Sequence, residues 1–407
     1  MSEQKRQFWV ILIIVFLGFI GISIPYLIFP ALFLNPEYSI LPASWGASSH
    51  ALLLGITLAA YPLGQFIGSP ILGALSDDYG RKRLLLGSLM ITAVCNLFTG
   101  LAIEWRQMGL LIASRFVAGL MEGNIAIARA MAADLKTLSK HVTFGKISAA
   151  SSIGYLLGPL LGGLMTDKSL SESLTTSTPF YFICILFFGL VVLTAFVLKQ
   201  SPVKAPSQVR TVWQRMDLFK RVSELFSNKH LQFLMITSTF FTLAVDIFYE
   251  FGPVYLTIKW ALGPAHLTIY NIVLCAGLAV GNGWLSAFVA PRISNRLAIM
   301  CSIAGFALFL GGIIVVNSTF LMMLLFGLSG LVIGLAVTLI TVKISDAVSD
   351  SIQGEVMGVQ ISLRVLGDAV ICLFGAALLL LSSKLILIVA SIVAVAAMIY
   401  YSARHKS

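Results

Sequence analysis

Charged side chains are scarce in this chain of 407 residues. Asp, Glu, Lys and Arg together make up 11% of it, whereas 58% of its residues are hydrophobic, and its mean hydropathy is +0.96. No soluble fold of this length could remove so much apolar surface from water, so the composition excludes an ordinary soluble globular protein. The solvent that it predicts is the hydrocarbon core of a lipid bilayer.

Residues that build disulfides, metal sites and proton relays are also few. The five cysteines fall singly in apolar stretches, without the spacing of a disulfide framework or a zinc site. No histidine lies in the middle of an apolar stretch, which argues against a histidine proton relay. The chain also lacks the Gly-x4-Gly-Lys-Ser/Thr pattern that binds nucleotide phosphates. We therefore expect no cofactor, no metal and no direct use of ATP.

What the chain does have is a series of apolar runs of about 20 residues, each long enough to cross roughly 30 Å of hydrocarbon. Backbone polar groups inside lipid must be hydrogen-bonded within the protein, and the strands of a membrane barrel would alternate apolar and polar residues. Uniformly apolar runs therefore predict helices. We predict twelve transmembrane spans, at residues 8–33, 48–72, 84–103, 107–131, 142–165, 179–199, 230–257, 266–290, 297–317, 319–343, 355–381 and 384–402.

The predicted spans divide into two groups of six. The longest loop, residues 200–229, carries two prolines followed by a mixed run of charges, and we interpret it as a cytoplasmic linker that contains a surface helix. The sequence thus predicts an all-α integral membrane protein built of two six-helix bundles, residues 1–199 and 230–407.

The basic residues behind the net charge of +10 are unevenly distributed. They gather in alternate loops, most densely at Arg81–Arg83 and in residues 199–229. The remaining loops hold only Arg106, Lys168, Lys259 and Lys384. This positive-inside pattern predicts that both termini lie in the cytoplasm, as in a bacterial-type inner membrane protein. It argues against a surface for nucleic acid.

A short charged segment stands between the second and third apolar runs. It contains Gly73, Asp77, Gly80, Arg81 and Lys82. The two glycines predict a tight turn, across which the aspartate faces the two basic residues.

Two further patterns lie in spans four and five. Span four carries Leu111-x3-Arg115-x3-Gly119, with its arginine inside the membrane. Span five carries glycines at four-residue intervals, which let another helix approach closely, and a proline that predicts a bend. The residues of this predicted hinge are Gly145, Gly154, Gly158, Pro159, Gly162 and Gly163.

In this order the three patterns closely resemble the motifs of the major facilitator superfamily, and most of all its 12-helix drug:proton antiporters and tetracycline-resistance exporters. Asp78 departs from the pattern, since the family usually carries a basic residue there. The resemblance implies a secondary transporter that works by alternating access. It also implies that the charged segment is a conformational switch whose Asp77 contacts the start of helix eleven, near Gly354 and Glu355.

Six charged side chains fall near the middle of the predicted spans, where each costs about 2.5–3.5 kcal/mol on insertion scales and therefore needs a reason. They are Arg115, Glu122, Asp246, Glu250, Arg364 and Asp368. Asp246 and Glu250 share one helix face, and their mutual repulsion in apolar surroundings favours proton exchange.

The resemblance implies that spans one, four, seven and ten line the transport cavity. Span one has no acidic residue between Gly18 and Leu34. The candidates for proton coupling and substrate binding are therefore Asp246, Glu122, Glu250 and Arg115, with Asp246 first because we predict it to lie deepest. Arg364 and Asp368, four residues apart and opposite in charge, form either a structural ion pair or a transport pair.

The predicted function is proton-coupled efflux of a small organic or amphipathic compound. Proton-coupled uptake of a nutrient or siderophore is the alternative. A membrane enzyme or receptor is a remote alternative, because no clustered constellation for metal or nucleophilic chemistry is present. We expect a monomer, without enzymatic activity, whose partners are its substrate, protons and membrane lipid.

Overall fold

The computed structural model describes residues 3–42, 44–135, 140–200, 228–289, 291–347 and 353–403. Within these ranges the regular structure is entirely helical. The helices of the first half are α1 (Glu3–Ser23), α2 (Pro25–Leu34), α3 (Ala47–Tyr79), α4 (Arg81–Glu104), α5 (Met108–Leu120), α6 (Gly123–Asp134), α7 (Lys140–Leu164) and α8 (Thr178–Val197). Those of the second half are α9 (Lys229–Trp260), α10 (Pro264–Ala279), a π-helix (Val280–Leu285), α11 (Ser286–Val289), α12 (Asn295–Val315), α13 (Thr319–Asp346), α14 (Gln353–Leu381) and α15 (Ser383–Ala403).

Eleven helical segments of the described chain are long and apolar enough to cross a membrane. The remaining predicted span corresponds to α7, whose described apolar part, Ala149–Leu164, is shorter. The predicted all-helical membrane fold is confirmed.

The chain divides into two compact units. The first unit comprises Met1–Ser44 and Ile56–Asp217, and the second comprises Trp45–Gly55 and Leu218–Ser407. The beginning of α3 therefore groups with the second unit, which the sequence did not predict. Residues 201–227 lie outside the described ranges, so the linker at 200–229 and its surface helix stay predictions.

Three of the spans are irregular. Span one stops at Ser23 and restarts at Pro25, because a proline has no N–H to donate and its ring clashes with the preceding turn. Span four stops at Leu120 and restarts at Gly123, which places Glu122 at the break. Span eight passes through the π-helix. Only the first of these irregularities coincides with a proline.

The charged segment near residue 80 is more helical than the sequence suggested. Gly73 and Asp77 belong to α3, Arg81 and Lys82 open α4, and the whole turn consists of Gly80. Gly80 has φ of 97°, which other residues rarely adopt. Gly73 is therefore not a turn residue, which corrects that part of the prediction.

The glycine stripe of α7 packs against span one. An added Cβ on Gly158 would lie 2.0 Å from Ser23 Oγ and 2.6 Å from the Ile20 carbonyl oxygen. One on Gly154 would lie 2.4 Å from the Phe16 carbonyl oxygen. At these positions the helices touch through their backbones, and no larger residue fits without movement.

Another pair of helices is in close contact at a glycine in each unit. In the first, an added Cβ on Gly68 of α3 would lie 2.0 Å from the Leu120 carbonyl oxygen of α5. In the second, one on Gly281 of the π-helix would lie 2.2 Å from the Leu331 carbonyl oxygen of α13. Spans two and four thus meet as spans eight and ten do.

Candidate functional site

The first unit encloses a small polar cavity among α1, α3, α4, α5 and α8. The space open to the centre of a water molecule is about 10 Å³, which is room for roughly one water. Its lining residues are Gly18, Gly21, Tyr61, Thr92, Asn96, Arg115, Ala118, Glu122 and Phe187. Two of the predicted site residues, Arg115 and Glu122, therefore share one cavity.

Glu122 lies at the break between α5 and α6 and is 5% exposed. Its Oε2 accepts a hydrogen bond from the Tyr61 hydroxyl of α3. The sequence did not predict the contact between Tyr61 and Glu122, because 61 residues separate them. The one feature that could have indicated it is the polar hydroxyl of Tyr61 within an apolar span. A buried carboxylate thus meets a neutral donor here.

Arg115 of α5 is 2% exposed. The centre of its guanidinium lies 4.6 Å from the centroid of the Tyr61 ring and 5.9 Å from that of Phe29. Its Nε is buried and has no hydrogen-bond partner. In the part of the chain that the structure describes, Arg115 and Glu122 line the same cavity without a hydrogen bond between them.

The second unit contains an ion pair between α9 and α14. Arg364 Nη2 donates to Asp246 Oδ1 over 2.6 Å, and Arg364 Nε donates to Asp246 Oδ2 over 2.9 Å. Asp246 is 5% exposed, whereas the Arg364 side chain is 46% exposed. One turn earlier, Gln360 Nε2 donates to Ser238 Oγ over 2.5 Å. Two polar contacts therefore join these helices.

The ion pair revises the prediction for Arg364. Spacing along one helix suggested Asp368 as its partner, but the structure shows an ion pair to Asp246, 118 residues away. Short-range helix rules cannot detect a partner on another helix.

Further acidic groups lie close to this pair. One ligand atom each of Glu250, Asp368 and Cys372 lies within 4.8 Å of the other two, and Asp246 and Arg364 act electrostatically on Asp368. Two ionised carboxylates at this separation repel one another, so a bound cation or proton stabilises the arrangement. The second unit thus gathers three predicted carboxylates and one arginine.

The switch and hinge residues do not line the cavity of the first unit. Lys82 Nζ donates to the Ala195 carbonyl oxygen over 2.7 Å at the end of α8. The side chains of Asp77 and Glu355 lie outside the described residues, so their predicted contact remains a prediction. Gly145, Pro159 and Gly163 all belong to α7.

The family model of the Major Facilitator Superfamily matches residues 11–371. The chain belongs to this superfamily. The resemblance inferred from the three motifs is therefore confirmed, and the coarse function follows: the chain is a superfamily transporter of the membrane.

Several bacterial relatives carry names of drug-resistance proteins. This superfamily member is 32% identical to the tetracycline resistance protein, class H, of Pasteurella multocida over 200 residues, which are 49% of the chain and 46% of the relative. It is 29% identical to multidrug resistance protein 2 of Bacillus subtilis over 202 residues, again 49% and 46%. The chain thus matches less than half the length of these relatives.

Solved structures share the fold over its whole length. The human organic anion transporter MFSD10 has a TM-score of 0.69 and 19% identity, and the match covers 99% of this chain and 100% of that one. A D-xylose-proton symporter has a TM-score of 0.74 and 14% identity, with 98% of both chains covered. At these identities the likeness shows the fold alone.

Proposed function

We propose that this superfamily transporter exports a small organic compound in exchange for protons by alternating access. The names of its bacterial relatives, which concern resistance to tetracycline and to multiple drugs, support export and a compound of drug-like size. Uptake is the competing direction, since the same fold serves a D-xylose-proton symporter.

The observation that carries proton coupling is the ion pair of Asp246 and Arg364. A proton that binds Asp246 has to displace the guanidinium that holds it, so protonation and the α9–α14 contact change together. A buried carboxylate whose partner lies on another helix links proton binding to helix movement. Asp246 therefore remains our first candidate for the proton carrier, ahead of Glu122 and Glu250.

The rest of the proposal concerns placement and assembly. We propose a bacterial-type inner membrane location with both termini in the cytoplasm, supported by the basic residues in alternate loops. A monomer with two six-helix bundles, joined at residues 200–229, is the simplest assembly for such a carrier. Transport without enzymatic activity agrees with its superfamily.

The test uses purified full-length protein in liposomes with a trapped pH-sensitive dye. Tetracycline and a fluoroquinolone serve as probes, under an imposed pH gradient. We expect protons to move opposite to the compound. Movement in the same direction would establish uptake instead, and compound transport that ignores the gradient would overturn proton coupling.

Variants then assign the carrier. Asp246→Asn should abolish gradient-driven transport while labelled compound still exchanges down its own gradient. Glu122→Gln and Glu250→Gln are compared in the same assay, with Lys168→Gln, an exposed lysine of the first unit, as the control. Full coupling in Asp246→Asn would rule out this residue.

A further inference from the structure

The cavity of the first unit holds a cation that lacks an acidic hydrogen-bond partner. Arg115 is almost completely buried, its Nε has no acceptor, and the contacts made by its guanidinium are with the faces of Tyr61 and Phe29. Cation–π contacts offset part of the cost of burying a charge, but they leave the N–H donors unused. A buried guanidinium with unused donors is suited to a carboxylate.

The acidic residue in the same cavity is engaged elsewhere. Glu122 accepts the hydrogen bond of Tyr61 and lies at the start of α6. The titratable groups that act electrostatically on Arg115 are Tyr61, Tyr26, Cys95 and Glu122, and Arg129 acts on Glu122. Glu122 is the only carboxylate among these groups, so it is the internal competitor of any added anion.

We propose that Arg115 binds the carboxylate of an aromatic organic acid that the protein transports. This proposal rests on the proposed transport function, because it takes the cavity as part of the transport site. The cavity has room for about one water-sized group, so it accommodates one oxygen atom of the carboxylate head. The aromatic rings of Tyr61 and Phe187 line the cavity and suit a ring next to that head.

The arrangement also sets the charge preference. An amine in this cavity would face Arg115 and be repelled, while an amide would make hydrogen bonds without the charge interaction. Only an anion both uses the donors of Arg115 and neutralises its buried charge.

The experiment measures binding of radiolabelled benzoate to the purified full-length protein by scintillation proximity, with no pH gradient. Unlabelled benzoate, benzamide and benzylammonium are the competitors, because they share the ring and differ in charge. We expect benzoate to compete at least tenfold better than benzamide, and benzylammonium not to compete. Equal competition by benzamide, or preference for benzylammonium, would overturn the proposal.

Variants locate the site. Arg115→Gln should weaken benzoate binding at least tenfold, while Arg115→Lys, which keeps the charge but not the planar fork, should lose about threefold. Glu122→Gln should bind benzoate as tightly as the wild type or more tightly, because the internal competitor is gone. Lys168→Gln is the matched control for loss of a positive charge.

The outcomes separate this proposal from proton-coupled export. Benzoate binding that requires Arg115 supports the anion site even if no proton moves in the liposome assay. Benzoate binding that survives Arg115→Gln refutes it even if proton exchange is found. Gel filtration shows whether Arg115→Gln folds. If it does not, the proposal is judged by how much better benzoate competes than benzamide in the wild type and in Arg115→Lys.

Discussion

The two units differ in how one pair of helices packs. The pair is spans one and five in the first unit, and spans seven and eleven in the second. In the first unit α1 and α7 meet backbone to backbone, with Gly158 against Ser23 and Ile20. In the second unit α9 and α14 are joined by side chains, through the Asp246–Arg364 ion pair and the Gln360–Ser238 hydrogen bond.

This difference separates a fixed contact from an adjustable one. The close contact at Gly158 involves no titratable group, so a proton does not act on it directly. An ion pair depends on charge, and a proton on Asp246 removes it. The proposed proton-sensitive joint thus lies in the second unit, and the shape-dependent joint lies in the first.

The strongest test of this contrast is Gly158→Leu. Its side chain would collide with the Ile20 carbonyl oxygen, which is backbone and cannot move aside cheaply. We expect a loss of about 3 kcal/mol or more in the free energy of unfolding, measured by thermal unfolding in detergent. Gly87→Leu, where nothing lies within 4 Å of an added Cβ, is the control. Similar melting of the two variants would show that the α1–α7 contact is not a close one.

Each unit has a close helix contact at a glycine, and we expect a larger residue to destabilise the two contacts equally. Gly68→Ala and Gly281→Ala add a Cβ at 2.0 Å and 2.2 Å from a backbone oxygen. We expect each to destabilise by roughly 2–3 kcal/mol, as followed by denaturant or thermal unfolding. A large effect in one unit and none in the other would contradict the correspondence of spans two and four with spans eight and ten.

The adjustable joint is tested by a double-mutant cycle. Arg364→Gln leaves Asp246 buried without its arginine, and we expect a loss of about 2 kcal/mol, below the roughly 3–5 kcal/mol of a fully buried pair because Arg364 is half-exposed. The double variant Asp246→Asn, Arg364→Gln should recover most of this loss in the same thermal assay. Additive losses would mean that the two side chains are not coupled.

The smallest effect is expected at the turn between α3 and α4. Gly80→Ala forces a residue with a Cβ to adopt φ of 97°, which costs about 1 kcal/mol. Gly73→Ala, in the helix with open space around it, should instead stabilise by about 0.5–1 kcal/mol. The corresponding connection in the second unit spans residues 291–294 and contains no glycine. Loss of stability at Gly73 rather than Gly80 would place the turn where the sequence first suggested it.

The sequence predicted those features that depend on neighbours along the chain. Apolar length located the spans, and the spacing of Gly154, Gly158 and Gly162 predicted a close contact. The sequence could not predict which helix this contact involves, because an apolar helix face in a bilayer does not specify its packing partner.

Features that depend on distant residues were missed. The Asp246–Arg364 pair joins residues 118 positions apart, and the nearer Asp368 was the better choice by helix spacing. The break at Glu122 carries no proline, and the glycines on either side of it also suit an uninterrupted helix contact. Both features belong to the candidate site.

The contact between Gly158 and Ser23 also orders events during synthesis. The chain grows at about 5–20 residues per second, so α7 follows the end of α1 by roughly ten seconds. During that interval the face of α1 that carries Phe16, Ile20 and Ser23 has no α7 to cover it. A lipid environment can solvate the apolar part of such a face. In the folded protein Ser23 Oγ donates to the Phe19 carbonyl oxygen of its own helix over 2.8 Å, a hydrogen bond that needs no second helix. The first span can therefore stay in the bilayer as a separate helix until α7 has been synthesised.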